Sequence, residues 1–243
     1  MSFSKKEICS YVDLTSLNSY DSRKSIQAFL NQAVALEEKG FPVAAVCLYP
    51  NFALQGVKMF QNSKIKVAVV AGNFPNAQGF LATKLSECKL ALEAGVDEVD
   101  VVLNLGEFED ENYESVVDEI RAYKGLMPEK SLKVILETGY LKTPERIRLA
   151  SELAIQGGAD FIKTSTGKEF PGASHEAVEV MAKVIRENLS VRKVGLKISG
   201  GVRTYQDALA YFESIERELG RAYMTPNFLR IGASSLVADL THD

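Results

Sequence analysis

The 243-residue chain carries 28 Lys and Arg against 32 Asp and Glu, a net charge of −4, and is 46% hydrophobic and 25% charged. That balance is typical of a soluble globular protein, and its mild acidity argues against a nucleic-acid partner, which selects a basic excess or patch. Charged or amide residues interrupt every apolar run before the roughly 18 residues of a membrane span, so no membrane partner is expected either.

Short β-branched runs alternate with longer segments of helical spacing from end to end. A short N-terminal extension, expected to be helical, precedes the first strand, Tyr11–Thr15. Ile26, Phe29, Leu30, Ala33 and Val34 then fall at i, i+3, i+4, i+7 and i+8, one face of a helix. Val43–Leu48 and Lys66–Ala71 read as the second and third strands, after which Leu81, Leu85, Cys88 and Leu92 restore the helical period. Glu98–Leu103 and Leu132–Glu137 are the fourth and fifth strands. Thr143-Pro144-Glu145 reads as an N-cap, a proline at the first helical position and an acid in the first turn, and Gly157 closes that helix. Asp160–Thr164 is the sixth strand, and Ser174 opens a helix carrying Val178, Met181, Ala182 and Ile185. Val194–Ile198 is the seventh; Thr204 and Gly220 bracket a helix with Ala208, Phe212, Ile215 and Leu219 on one face, and Phe228–Ile231 is the eighth.

Near-continuous apolar strands alternating with helices predict a parallel sheet covered on its outer face. The count of eight selects a closed barrel over an open doubly wound sheet. The expectation is an α/β fold, a single-domain (β/α)8 TIM barrel over residues 1–243, with its chemistry at the C-terminal strand ends. Cys9, Cys47 and Cys88 are odd in number and far apart, which predicts reduced thiols and excludes a disulfide scaffold or a cysteine zinc site. The start, Met-Ser-Phe-Ser-Lys-Lys-Glu, lacks an apolar leader core, so a cytoplasmic location is expected.

Charges break the strand pattern at Asp100 in the fourth strand, Lys163 near the end of the sixth and Lys197 at the matching place on the seventh. Lys133 sits on the Lys133/Ile135/Glu137 face of the fifth. Side chains alternate faces along a strand, and the outer face lies under helices, so these charges point into the barrel. Mutual neutralisation at a polar mouth would account for any single one of them. It accounts poorly for the set, because lysine is almost never buried unpaired and two lysines on neighbouring strands repel. Repulsion and burial lower a lysine pKa and leave a neutral amine able to attack a carbonyl, while the second, protonated lysine supplies the field. Asp100 is then placed to pass protons. The two histidines, His175 at a helix start and His242 in the tail, supply neither a Ser-His-Asp triad nor a metal site. Cys47, with no histidine to activate it, reads as a packed thiol.

Two small-residue loops follow the last two strands: Ser199-Gly200-Gly201-Val202-Arg203 and Gly232-Ala233-Ser234-Ser235, the second opening the final helix. Phosphate sites of (β/α)8 barrels are often built from these same loops. Arg203 adds a candidate bidentate contact, and Gly167 with Lys168 follows the adjacent sixth strand.

With these residues placed, the sequence resembles the deoxyribose-phosphate aldolases, class I Schiff-base aldolases. The resemblance is carried by Phe161-Ile162-Lys163-Thr164-Ser165-Thr166-Gly167-Lys168, Gly195-Leu196-Lys197-Ile198-Ser199-Gly200-Gly201-Val202-Arg203, Asp97-Glu98-Val99-Asp100-Val101-Val102, Lys133-Val134-Ile135-Leu136-Glu137-Thr138-Gly139 and Gly232-Ala233-Ser234-Ser235-Leu236. Asp13-Leu14-Thr15-Ser16-Leu17 resembles the family's first strand, so the match is collinear over nearly the whole chain. It implies reversible cleavage of 2-deoxy-D-ribose 5-phosphate to D-glyceraldehyde 3-phosphate and acetaldehyde, in deoxyribonucleoside catabolism. Lys163 would form the Schiff base, Lys197 tune it and Asp100 transfer protons. Gly167, Lys168, Gly200, Gly201, Arg203, Gly232, Ser234 and Ser235 would bind the substrate and its phosphate, with Asp13, Thr15, Cys47, Lys133 and Thr166 lining the pocket. The family implies no metal or organic cofactor and a homodimer or homotetramer. Some relatives end in a tyrosine that assists proton transfer, whereas this sequence ends at Asp243 with Tyr223 as its last tyrosine. Two other readings are a Schiff-base barrel aldolase for a longer sugar phosphate and a non-catalytic sugar-phosphate-binding barrel.

Overall fold

Eight strands pair in parallel in chain order and the eighth closes on the first. The computed structural model describes residues 3–242, so Met1, Ser2 and the terminal Asp243 lie outside the described residues. In order along the chain the elements are α1 (Lys5–Cys9), β1 (Val12–Thr15), α2 (Arg23–Glu38), β2 (Ala45–Leu48), α3 (Ala53–Phe60), β3 (Lys66–Val70) and α4 (Leu81–Glu93). There follow β4 (Glu98–Val102), α5 (Leu105–Glu109), α6 (Tyr113–Leu126), β5 (Ser131–Ile135), α7 (Thr138–Leu141), α8 (Pro144–Gln156) and β6 (Phe161–Lys163). The chain finishes with α9 (His175–Asn188), β7 (Gly195–Ser199), α10 (Tyr205–Leu219), β8 (Leu229–Ala233) and α11 (Leu236–Thr241). Among the described residues no helix is long and apolar enough to cross a membrane.

The helix starts are set by side-chain caps. Thr143, Ser174 and Thr204 each accept a hydrogen bond from a backbone N–H of the first helical turn, satisfying donors that the helix itself leaves unpaired. The eighth strand runs two residues further than its β-branched run, because Gly232 and Ala233 pair with Asp13 and Leu14 of β1. Part of the small-residue loop expected after it is thus strand.

The outward faces of the strands are apolar and buried: Val12 and Leu14, Val67 and Val69, Val99 and Val101, Leu196 and Ile198 are each no more than 2% exposed. They meet the apolar stripes of the helices, such as Val178, Met181 and Ile185 of α9, in one continuous core. Burial of this kind is the main force closing the fold, at roughly 25 cal/mol per Å² of apolar surface.

The inward faces stack in layers of four side chains taken from alternate strands, as the register of a (β/α)8 barrel dictates. From the N-terminal end the pairing registers stack Ala45, Glu98, Phe161 and Arg230; then Asp13, Ala68, Lys133 and Lys197; then Cys47, Asp100, Lys163 and Gly232; then Thr15, Val70, Ile135 and Ser199. Gly195 has no side chain because the Phe161 ring occupies that space: a Cβ there would lie 2.3 Å from the ring.

Candidate active site

Lys163 is the last residue of β6 and pairs in register with Lys197 of β7. Both Nζ atoms reach the same oxygen of Asp100 on β4, Lys163 at 2.9 Å and Lys197 at 2.7 Å. The other Asp100 oxygen accepts from Lys133 Nζ at 2.8 Å. Lys197 also lies 2.6 Å from Asp13 on β1. The structure therefore brings together Asp13, Asp100, Lys133, Lys163 and Lys197, from five strands far apart in sequence.

The electrostatics distinguish the lysines. Burial pushes the Lys163 amine below the ordinary lysine range; Asp100 opposes this and Lys197 adds to it. Burial acts on Lys197 in the same direction, but Asp100 and Asp13 outweigh it and hold that ammonium above the usual range. Asp100 would be raised by burial alone, yet Lys133, Lys163 and Lys197 hold its carboxylate well below normal. An amine that sheds its proton readily thus sits beside one that keeps it, with an ionised carboxylate between them.

Lys163 opens onto a cavity of about 300 Å³ at the C-terminal end of the barrel. Of the expected phosphate and substrate residues, Gly167, Lys168, Gly200, Gly201, Arg203, Gly232, Ser234 and Ser235 all line it, together with Thr15 and Thr166. Gly200 adopts φ +81°, and its Cβ position would lie 2.7 Å from Gly172 Cα, so the tight crossing of these two loops admits no side chain there. The Lys168 ammonium donates to the Leu17 carbonyl across the mouth, tying the loop after β6 to that after β1. Thr166 donates through both its backbone N–H and its hydroxyl to the buried carboxylate of Glu137. Burial pushes that Glu137 carboxyl upward.

Three expected pocket-lining residues do not line the cavity. Asp13 and Lys133 lie one layer beneath Lys163, and Cys47, in the Lys163 layer, packs in a small cluster with Leu17, Ala68 and Val70; all three are fully buried. Their strands carry all three inward; the closing register sets Asp13 and Lys133 too deep, while packing against Leu17, Ala68 and Val70 covers Cys47. Glu98 and Arg230 were not expected at all. Arg230 donates to Asp13 at 2.7 Å and, with both arms of its guanidinium, to Glu98 at 2.9 and 3.2 Å. The signal was available: Arg230 stands among Leu229 and Ile231 as Lys163 stands among its neighbours, and Glu98 shares the face of Asp100 two residues on. Leu17 and Asn18, which also line the cavity, come from a loop with no such signal.

Among the described residues, no group of three or more His, Cys, Asp or Glu could hold a metal ion. The arrangement suits amine chemistry on a carbonyl: one amine of lowered proton affinity, one fixed ammonium, one fixed carboxylate, and an open cavity lined by small residues and cations.

Residues 8–240 match the DeoC/LacD family of aldolases. The chain is 38% identical over 245 residues to the human deoxyribose-phosphate aldolase, covering 95% of this chain and 77% of that protein. A putative deoxyribose-phosphate aldolase from Coccidioides immitis has a similar structure, with a TM-score of 0.83 and 29% identity over 98% of this chain and 87% of its own. The deoxyribose phosphate aldolase of Aeropyrum pernix, described as a unique tetramer, superimposes with a TM-score of 0.77 and 26% identity over 98% and 91% of the two chains. A lysine-centred barrel and a collinear match over nearly the whole sequence thus agree, and the chain belongs to the DeoC/LacD family of aldolases.

Proposed function

We propose that this aldolase cleaves 2-deoxy-D-ribose 5-phosphate reversibly to D-glyceraldehyde 3-phosphate and acetaldehyde through a Schiff base on Lys163. The observation that carries the reading is the Lys163 amine, pushed down by burial and Lys197, bordering a cavity that is also lined by glycines, serines and Arg203. The name borne by the relatives supports the choice of substrate.

Lys163 attacks C1 of the open-chain aldehyde, and the carbinolamine loses water to give a protonated imine. That imine accepts the electron pair of the C2–C3 bond when the C3 hydroxyl loses its proton, so C3 leaves as the aldehyde of glyceraldehyde 3-phosphate and an enamine remains. Protonation of the enamine at C2 and attack of water at C1 release acetaldehyde and restore the amine. Asp100 and Lys197 serve the proton transfers, each such step contributing roughly 10²- to 10⁴-fold. The phosphate is remote from the breaking bond. Held by Gly200, Gly201, Arg203, Ser234 and Ser235, with Gly167, Lys168 and Gly232 beside them, it orients the aldehyde toward Lys163.

Residues 1–243 act as one barrel domain in this reading, assembled as a homodimer or homotetramer in the cytoplasm. The tetrameric relative supports the assembly, and three buried free thiols support a reducing compartment. Light scattering of the purified protein reads the assembly, and a monomer at micromolar concentration would reject it. The chemical test is incubation with acetaldehyde and borohydride, which should leave a two-carbon adduct on Lys163; an unlabelled Lys163, with label elsewhere or absent, would overturn the assignment.

A further inference from the structure

In the two layers of barrel interior nearest the N-terminal end, Asp13, Glu98, Lys133 and Arg230 are charged groups that no reaction step uses, unlike Lys197 beside them. Arg230 and Glu98 form a forked pair there, with nitrogen–oxygen distances of 2.9 and 3.2 Å. The pair is not isolated. Glu98 also holds Lys133 Nζ at 2.5 Å, and Arg230 holds the Asp13 carboxylate at 2.7 Å. Lys133 then reaches Asp100 at 2.8 Å, while Asp13 reaches Lys197 at 2.6 Å. Two arms therefore rise from one ion pair, and they meet at the Asp100 carboxylate, where Lys133 holds one oxygen while Lys197 and Lys163 share the other.

Four cations, Lys133, Lys163, Lys197 and Arg230, face three carboxylates, Asp13, Glu98 and Asp100, and all seven are buried. Net buried charge is costly, so this set is best satisfied when one cation gives up its proton. Partner count selects which. Lys133 lies within ion-pair distance of three carboxylates and Lys197 of two, whereas Lys163 has only Asp100. Lys163 alone of the three also borders the cavity.

We propose that Glu98 and Arg230 are positioning residues for the reaction: their forked pair fixes Lys133 and Asp13, which in turn fix Asp100 and Lys197 against the Lys163 amine. The proposal rests on Lys163 as the reacting amine. The Phe161 ring, with its centroid 6.0 Å from Lys133 Nζ and 5.7 Å from the Arg230 guanidinium, packs against both arms at their base. Lys66 of β3 approaches Glu98 to 3.3 Å from the exposed barrel end. The remaining titratable groups around Lys163 are Cys47 of β2 and Glu137 after β5, with Lys168 and Arg203 at the mouth. None of these touches the Glu98–Arg230 pair.

A charge two layers below Lys163 acts on it through a low-dielectric interior. At an effective dielectric near 20, a unit charge about 10 Å away shifts a pKa by on the order of one unit. The two members of the pair carry opposite signs, so removing each should move Lys163 in opposite directions. A merely structural role would not produce that signature.

The test follows the pH dependence of borohydride capture of acetaldehyde by the full-length protein, with the adduct located by peptide mass, in Glu98→Gln, Arg230→Met and the double variant. Glu98→Gln should lower the midpoint of capture by on the order of one pH unit and Arg230→Met raise it by a similar amount. The double variant should return it close to that of the parent. Both single variants at the parental midpoint, or both displaced in the same direction, would overturn the proposal. Where a single variant does not fold, Arg230→Lys decides, since it keeps the charge and loses the fork: the midpoint should hold while capture slows several-fold, and capture at the parental rate would overturn the proposal. An adduct missing from Lys163 in the parent protein is a separate result, which rejects Lys163 as the reacting amine.

Discussion

The two faces of the same eight strands differ as much as any two regions of this molecule. Outward, Val12, Val99, Leu196 and their neighbours are uniformly apolar and meet the helices. Inward, the second and third layers carry Asp13, Lys133, Lys197, Asp100 and Lys163 where most barrels of this type stack branched aliphatic residues. Residues one position apart on a strand thus belong to different problems. The outer face supplies the hydrophobic stabilisation that closes the barrel, and the inner face uses the rigidity so obtained to hold ions in an environment they would not choose alone. Buried ion pairs add little net stability, because desolvation consumes most of the Coulombic gain. Stability therefore does not account for the inner charges.

If that division holds, substitutions on adjacent residues of β7 should separate activity from stability. Lys197→Leu on the inner face has the largest expected effect. It removes a cation that repels protonated Lys163 and frees Asp100 to stabilise that same ammonium, so the Lys163 pKa rises. The neutral fraction near pH 7 then falls, and the pH–rate profile for deoxyribose phosphate cleavage moves to higher pH, with kcat reduced roughly 10²- to 10⁴-fold. A profile coincident with the parent would break the coupling between the two lysines. Leu196→Ala on the outer face should do the reverse. Urea unfolding should report a loss of about 2–5 kcal/mol, as for other fully buried leucines, with kcat per folded molecule unchanged. Activity lost in proportion to Lys197→Leu would dissolve the distinction between the faces.

The smallest effect is expected at the cavity rim. Arg203 lines the cavity and is exposed, so its loss leaves no buried group unpaired. Arg203→Ala should raise KM for the phosphorylated sugar roughly 10- to 100-fold, the range of one charge-assisted hydrogen bond, and leave KM for unphosphorylated deoxyribose unchanged. Equal effects on both sugars would remove Arg203 from the phosphate site.

Much of this is legible in the sequence. All eight β-branched runs became strands, with boundaries shifted by one or two residues, and Thr143, Ser174 and Thr204 cap the helices they were expected to open. The contrast between a charge and its apolar neighbours singled out Asp100, Lys133, Lys163 and Lys197, because alternation along a strand makes facing a local property. The same contrast marks Arg230 between Leu229 and Ile231. Glu98 shares the inward face of Asp100, but its place at the strand start beside Asp97 makes that signal weaker than the one at Arg230. Asp13 and Lys133 lie on the expected face but one layer deeper than the cavity, whereas Cys47 lies at the depth of Lys163 and is the packed thiol that its lack of a histidine partner implied.

Depth is the quantity that no single strand carries. Periodicity along one strand determines what faces inward and what faces the helices, and eight repetitions of strand and helix suffice to determine the barrel. Closure adds a register between every pair of strands, summed around the ring, and that sum alone places Lys163 in one layer with Asp100, one above Lys197 and two above Arg230. The sequence by itself determined which side chains enter the interior, Asp100, Lys133, Lys163 and Lys197 among them. Only the closed tertiary structure decided which lysine keeps three carboxylates, which keeps two and which keeps one, because Coulombic interactions depend on distances between strands that are remote along the chain.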